Sequence, residues 1–438
     1  MIALRNQHRT TLQDVAAFLI PVFSWCEFTI VGRIFLTDIL LLLTFPLVLR
    51  RSVLERILPA IRVLAVLGVL WLANQIVTDV MRGTGPADFS RGWAKIGLAT
   101  MNLVTLAAIL GSSRRRLKLF ALGFAAGALI AIPVNPDPFF WADHWKFGYS
   151  VPFNLAMALF ASTIWSSGHR KLSCVVFVSL PIINISLGFR GAAGASFLAF
   201  VLLCLGSRKP RRSGNGPMRA VIALLVLAIG GAGFIGLYEV SALRGWLGED
   251  LREKTVWQTS GDLGILIGGR GPVFAALAVI AENPIFGLGS WADSSYYVLG
   301  MSAKMGDHGY ALQDGPVETH ASSHSHVLGS WVEAGALGAL FWCAVIWLVG
   351  CRIMSVPWHD ERVAPLILYL AFSLLWDIAF SPFAQERRFL TPYYIDAVLI
   401  TGARFGRVGR HPGTRRRRAP PSAGGRIGPC TIPLPRAL

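Results

Sequence analysis

Charge is scarce in this chain. Of its 438 residues only 15% are Asp, Glu, Lys or Arg, while 54% are hydrophobic. A single soluble domain needs charge spread over its surface, so composition argues against that class. Cysteine is sparse too. The six are Cys26, Cys174, Cys204, Cys343, Cys351 and Cys430, in or beside apolar runs or in the tail, with no CxxC pair. That argues against a zinc or disulfide framework built on cysteine. A small-residue cleavage site is missing behind Arg5, Arg9 and the apolar run that follows them, so this run is expected to be a retained first membrane span and not a cleaved signal. Acidic residues are the scarcer sign, 24 against 41 Lys and Arg, for a net charge of +17.

What the chain does have is apolar runs near twenty residues long, the signature of helices that cross a bilayer. Twelve are expected, at about 12–30, 34–49, 63–79, 96–111, 119–134, 150–166, 173–188, 191–206, 220–238, 327–350, 364–381 and 390–404. The fold class is therefore an all-α polytopic membrane protein. Residues 1–238 carry spans one to nine, 239–326 form a large outer loop with short helices, 327–404 carry spans ten to twelve, and 405–438 form a basic, disordered tail. In span nine, Gly230, Gly231, Gly233 and Gly236 read as a helix-packing surface.

The basic residues set the orientation. With both ends inside, the inner segments contain "RRSVLER", "SSRRRLK", "GHRK", "SRKPRRSGNGPMR" and the "RRRR" of the tail, and hold 28 of the 41 Lys and Arg; the outer segments hold 13. This is the positive-inside asymmetry. It assigns the excess to membrane lipid headgroups and not to nucleic acid.

The loop 239–326 is the one long connection, and long loops in compact proteins are commonly functional. "GPVFAALAVIAENPIFGLG" predicts a short helix at about 271–282, ended by Asn283-Pro284 and a Gly-rich turn. Candidate residues collect on the outer side. Arg190 lies in "SLGFRGAAG", between Gly188 and Gly191, with no acidic neighbour in sequence. Arg270 lies in "GGRGP", and Arg387 and Arg388 in "FAQERRF"; the last two read equally as snorkelling anchors. His320, His324 and His326 stand in "ETHASSHSHVLGSWVEAGALG", with Glu333 seven residues beyond His326. HxxxHxH has three readings: a metal site, for which no completing Cys or carboxylate pair is present; solvated loop histidines; or a general base titrating near neutrality. Glu333 would orient or charge-tune the cluster, or hydrogen-bond within the bundle.

"ENPIFGLG" followed by "HSHVLGSWVEAGALG" resembles the signature of the O-antigen ligase and O-antigen polymerase superfamily. Registering Leu328, Glu333, Gly335 and Gly338 on that pattern places His324 at the family's catalytic histidine. Ser325 stands where the family has Asn, and His326 is the runner-up. "GFRGA" resembles the family's Ser-Arg-Gly element, with Phe189 replacing Ser, which puts Arg190 at its arginine. "GGR" puts Arg270 at another. The resemblance implies a bacterial inner-membrane enzyme, active on the periplasmic face, that transfers or polymerises a polyprenyl-diphosphate-linked glycan onto a sugar hydroxyl. The acceptor would be lipid A-core or a growing glycan. His324, Arg190 and Arg270 would be catalytic; His326, Glu333, Arg387 and Arg388 would bind substrate; no metal or other cofactor is expected. The rival class is a transporter such as a lipid-linked glycan flippase, which predicts charges inside the bundle, with Asp377 one candidate.

Overall fold

The computed structural model describes residues 2–29, 32–207, 216–262, 272–310, 323–384 and 386–408. Arg270, His320 and the tail beyond residue 408 lie outside the described residues. Among the described residues the single sheet is a hairpin, β1 (Glu27–Thr29) antiparallel to β2 (Arg33–Phe35). Everything else regular is helical: α1 (Ile2–Val22), α2 (Leu36–Val48), the one-turn α3 (Arg51–Leu54), α4 (Pro59–Arg82), α5 (Pro86–Leu110), α6 (Arg114–Val134), α7 (Ser150–Ser166), α8 (Arg170–Ser186), α9 (Arg190–Gly206), α10 (Gly216–Leu243), α11 (Glu249–Gln258), α12 (Pro272–Glu282), α13 (Ser295–Asp307), α14 (His326–Ser355), α15 (Ala364–Phe380) and α16 (Arg387–Val408). The first apolar run was expected to be helical to residue 30. Instead α1 ends at Val22, one residue after Pro21, which withholds a helical hydrogen bond, and the extended Cys26 leads into the hairpin. Pro59 and Pro86 open α4 and α5 where their missing N–H costs nothing, and Gly83, at φ 66°, closes α4 in the left-handed conformation.

Among the described residues six helices are long and apolar enough to cross a bilayer: Pro59–Arg82, Pro86–Leu110, Arg114–Val134, Trp145–Ser166 (α7 with the wide helical turn Trp145–Tyr149 that leads into it), Val221–Leu243 and His326–Ser355. The architecture is thus all-α and of membrane type. α10 makes the point best, because it is strongly apolar yet almost none of it is buried in the protein. In water such a helix would expose Val221, Ile222, Leu224, Leu225 and Ile229 at a large hydrophobic cost; against lipid they are at home. Gly230 and Gly231 face Phe197, Leu198 and Val201 of α9 as a packing surface would, whereas Gly233 and Gly236 have no non-local neighbour within 4 Å.

Side-chain ties define two ends of the bundle. At one, Arg114 donates through Nε and Nη2 to both carboxylate oxygens of the buried Glu361, at 2.6 and 2.8 Å. Trp165 at the end of α7 donates to the Glu361 carbonyl at 3.0 Å. Arg170 at the start of α8 contacts both the ring and the carbonyl of His359, and Trp358 packs on Gly206 at the end of α9. Helices beginning or ending here have their other termini at the opposite end, so α6 to α9 alternate in direction.

At that opposite end α14 is broken. Ala334 (φ −122°, ψ 16°) and Gly335 (φ 60°, ψ −155°) leave the helical conformation. The segment Ile285–Gly289 fills the gap. Leu288 N–H donates to Val332 O at 2.7 Å, Gly289 N–H to Glu333 O at 2.9 Å, and Ala336 N–H to Ile285 O at 3.2 Å. Asn74 of α4 donates to Ala334 O at 2.5 Å. Broken backbone is tolerable inside an apolar bundle only when its polar groups are satisfied in this way. Gly287 (φ 78°) is required twice over: by its backbone, and because a Cβ there would stand 2.6 Å from Val332 O. The segment is pinned by the buried Asp79. That carboxylate accepts from Ser290 N–H (2.7 Å) and Oγ–H (2.7 Å), Trp93 Nε1 (2.8 Å), Thr84 Oγ1 (3.0 Å) and Gln75 Nε2 (3.3 Å).

Candidate functional site

Arg190 is held by a tier of buried amides. Asn184 near the end of α8 donates to Asn154 Oδ1 of α7 at 2.8 Å and accepts from Trp145 Nε1 at 3.1 Å. Its carbonyl takes the Phe189 N–H at 2.8 Å, across a turn in which Gly188 has φ 78°. Gly188 supplies that left-handed turn. Gly191 does something else: a Cβ there would stand 2.7 Å from Trp376 Nε1, so its bareness admits an indole of α15. Arg190 then opens α9. Its Nη1 donates to Gln258 Oε1 of α11 at 2.5 Å, and its guanidinium carbon lies 5.4 Å from the Tyr238 ring centroid. It is half-buried and forms no ion pair among the described residues.

The histidine stretch enters α14 from the same side. Ser325 caps the helix: its Oγ accepts the Leu328 N–H at 3.3 Å and donates to Ile378 O at 3.0 Å. His324, just before the cap, is exposed. His326, just after it, is fully buried between Trp342 and Phe383, with ring centroids 4.8 and 5.1 Å away. Its Nδ1 is 2.6 Å from Ser381 O; a carbonyl only accepts, so Nδ1 carries the proton. The other nitrogen, Nε2, is buried without a partner among the described residues.

The remaining candidates are engaged with opposite charge. Glu333, on the last turn before the break, pairs with Lys95 of α5, whose Nζ lies 4.8 Å from the Trp291 ring centroid. Arg387 Nη2 is 3.6 Å from Asp377 Oδ1, and Arg388 Nη2 is 3.0 Å from Asp38 Oδ2. Arg388 also donates to Arg33 O at 2.5 Å and is buried, so it ties α16 to the hairpin and α2. In the connection between α15 and α16, burial pushes the Glu386 carboxyl up from its ordinary value; Arg387 opposes this, while Asp137 and Asp377 add to it.

The structure therefore brings Arg190, His324, His326, Glu333 and Arg387 to one end of the bundle, with α15 between the two groups: Trp376 covers Gly191, and the adjacent Asp377 holds Arg387 and accepts from Ser381 Oγ at 2.8 Å. Arg388 lies apart, among α2 and the hairpin. Among the described residues no three His, Cys, Asp or Glu side chains gather as a metal ion would need. Lys95, Lys146, Lys254 and Gln258 were not singled out in the sequence. Each stands far along the chain from the residues it joins, and only the pairing of distant segments reveals them. No family model and no curated protein matches this chain.

Proposed function

We propose that this chain is a bacterial inner-membrane glycosyltransferase of the O-antigen ligase and polymerase type, with all twelve apolar helices spanning and residues 239–326 on the periplasmic side. The observation that carries the reading is Arg190. It is a half-buried guanidinium, oriented by Gln258 and Tyr238 and not neutralised by a carboxylate, at the end of an apolar bundle that also presents an exposed histidine. An enzyme working on a polyprenyl-diphosphate-linked glycan needs that pairing at membrane level. The acceptor hydroxyl oxygen bonds to the anomeric carbon as its proton passes to the His324 imidazole. The carbon–oxygen bond to the diphosphate breaks, and its electron pair leaves with the diphosphate. Arg190 meets that growing charge with a planar, two-pronged donor. Attack opposite the leaving group inverts the anomeric configuration. Arg270, matched by the same resemblance, would add a second guanidinium.

Arg190→Ala is expected to lower transfer from a lipid-linked donor about 100- to 1,000-fold, the usual result of removing a donor aimed at developing charge. Arg190→Lys should recover little, since a point charge cannot make the forked contact. A folded Arg190→Ala enzyme with wild-type turnover would sink the reading. Orientation is tested separately: cysteines placed at Ser260 and Ser422 should be labelled by an impermeant thiol reagent in intact spheroplasts at 260 and not at 422. A deletion strain separates the two chemistries. A polymerase leaves single glycan units attached, and a ligase leaves lipid-linked polymer accumulating.

One observation favours transport of a lipid-linked glycan as a second reading. Asp396 of α16 is fully buried, and neither carboxylate oxygen has a hydrogen-bond partner among the described residues. Acids at such depth commonly mark ion or proton pathways. Asp396→Asn that abolishes glycan movement across the membrane while sparing transfer would support it.

A further inference from the structure

Most buried or half-buried cations of this protein are spent on carboxylates: Lys95 on Glu333, Arg114 on Glu361, Arg116 on Asp14, Arg387 on Asp377 and Arg388 on Asp38. Around Arg190 the pattern reverses. Leu251 of α11 packs against the Gly188 turn, close enough that a Cβ on Gly188 would stand 3.4 Å from it. Gln258, seven residues on, binds Arg190. Lys254 lies between them at helical spacing, on the face of α11 turned to the same place. From the other side comes Lys146. Its neighbour Trp145 is fastened to Asn184 beneath the Arg190 turn, and its own N–H donates to Asp143 Oδ1 at 2.8 Å. Lys146 lies within electrostatic reach of Lys254, Asp143 and Arg190. Both lysines are exposed, and neither forms an ion pair among the described residues.

We propose that Lys146, Arg190 and Lys254 form one site for a diphosphate group, contributed by the connection before α7, the tip of α9 and α11. The proposal rests on the glycosyl-transfer reading for the source of that group and goes beyond it in naming the two lysines. Asp143 is the acid that acts on both lysines, while Asp250 and Glu253 of α11, neighbours of Lys254 in the helix, do not figure among the charges that shift it. Three cations against Asp143 leave a net charge of about two, which suits a doubly or triply charged diphosphate better than a single carboxylate or a neutral sugar. The crowding has a physical signature: partial desolvation of this otherwise exposed side chain and the Arg190 guanidinium push the Lys254 ammonium down from its ordinary value, and Asp143 offsets this only in part. A bound anion relieves that repulsion. Affinity therefore falls as pH is raised through the lysine range, and does so earlier in the wild type than in Lys254→Arg, whose guanidinium keeps its proton.

The test is equilibrium binding to the purified full chain in detergent, with undecaprenyl diphosphate, inorganic diphosphate and inorganic phosphate as probes. The wild type should bind both diphosphates at least about tenfold more tightly than phosphate. Tighter binding of the lipid form assigns the site to the carrier headgroup; equal or tighter binding of the inorganic form assigns it to free diphosphate. Lys146→Gln and Lys254→Gln should each weaken binding about tenfold, equivalent to one lost charge contact of about 1.4 kcal/mol. Asp143→Asn should tighten it, which a merely structural role for these residues would not produce. Wild-type affinity in a folded Lys146→Gln/Lys254→Gln double variant, or weaker binding in Asp143→Asn, overturns the site. Failure of the broader reading looks different: diphosphate binding that depends on the lysines, with no glycan transferred, leaves the site standing and removes the enzyme.

Discussion

Gly335→Ala is expected to prevent the folded protein from accumulating. Gly335 sits at φ 60° and ψ −155°, a region that only glycine occupies without strain, and residues forced there cost about 1–3 kcal/mol. A Cβ at this position would also overlap the carbonyl group of Ile285 and the Phe286 nitrogen. These are backbone atoms of the segment that fills the break in α14, so no side chain can swing aside. Overpacking of this kind adds about 1–3 kcal/mol, more where the neighbour cannot move. Together the two terms take about 2–6 kcal/mol from a total that in proteins is about 5–15 kcal/mol. Detergent-solubilised yield and melting temperature check this. The control is Gly350→Ala, further along the same helix, where a Cβ meets nothing within 4 Å and no change is expected. A Gly335→Ala protein that melts with the wild type would mean that Ile285–Gly289 does not occupy the break.

His324→Ala is expected to lower glycan transfer by about 100- to 10,000-fold, the range for losing a general base, with protein level unchanged. His324 is exposed just before the Ser325 cap, where an acceptor hydroxyl has access, whereas His326 is sealed between Trp342 and Phe383 with Nδ1 tied to Ser381 O. His326→Ala should therefore act through packing: a lower melting temperature and a smaller loss of turnover in the protein that remains folded. His320→Ala should be mild. A fully active His324→Ala enzyme would sink the base assignment. Chelator-sensitive wild-type activity, with all three variants failing together, would move the histidines to a metal site.

The apolar runs were readable because their signal is local: each holds a helix, though the first leaves the helix at Val22, and six helices among the described residues are long and apolar enough to cross a bilayer. What the sequence hid is long-range. Nothing in "VEAGALG" distinguishes a helix that continues through Gly335 from one that breaks there, since both are apolar and small. Only the arrival of Ile285–Gly289 makes the difference. Arg190 was legible because its glycine neighbours and lack of acids are local facts. Lys146 and Lys254 look like ordinary outer-loop cations until α11 is folded against the Gly188 turn. The histidines show the limit most plainly. His324 and His326 are two residues apart and chemically identical, and the cap between them decides which faces solvent and which the core.

The Asp79 pin also carries a constraint on how the chain is made. Two of its five donors come from Ser290, which is 211 residues later. When α4 leaves the ribosome and enters the membrane, that serine does not yet exist. The other three donors do arrive early: Gln75 one turn back, Thr84 just beyond the helix and Trp93 on the next helix. The carboxylate thus crosses the interval of synthesis in local company, partly satisfied, and the last two bonds form only when the later loop comes home. Closure of the α14 break is in this sense a late stitch of assembly, and it is sewn to a residue that has been waiting since the third apolar run.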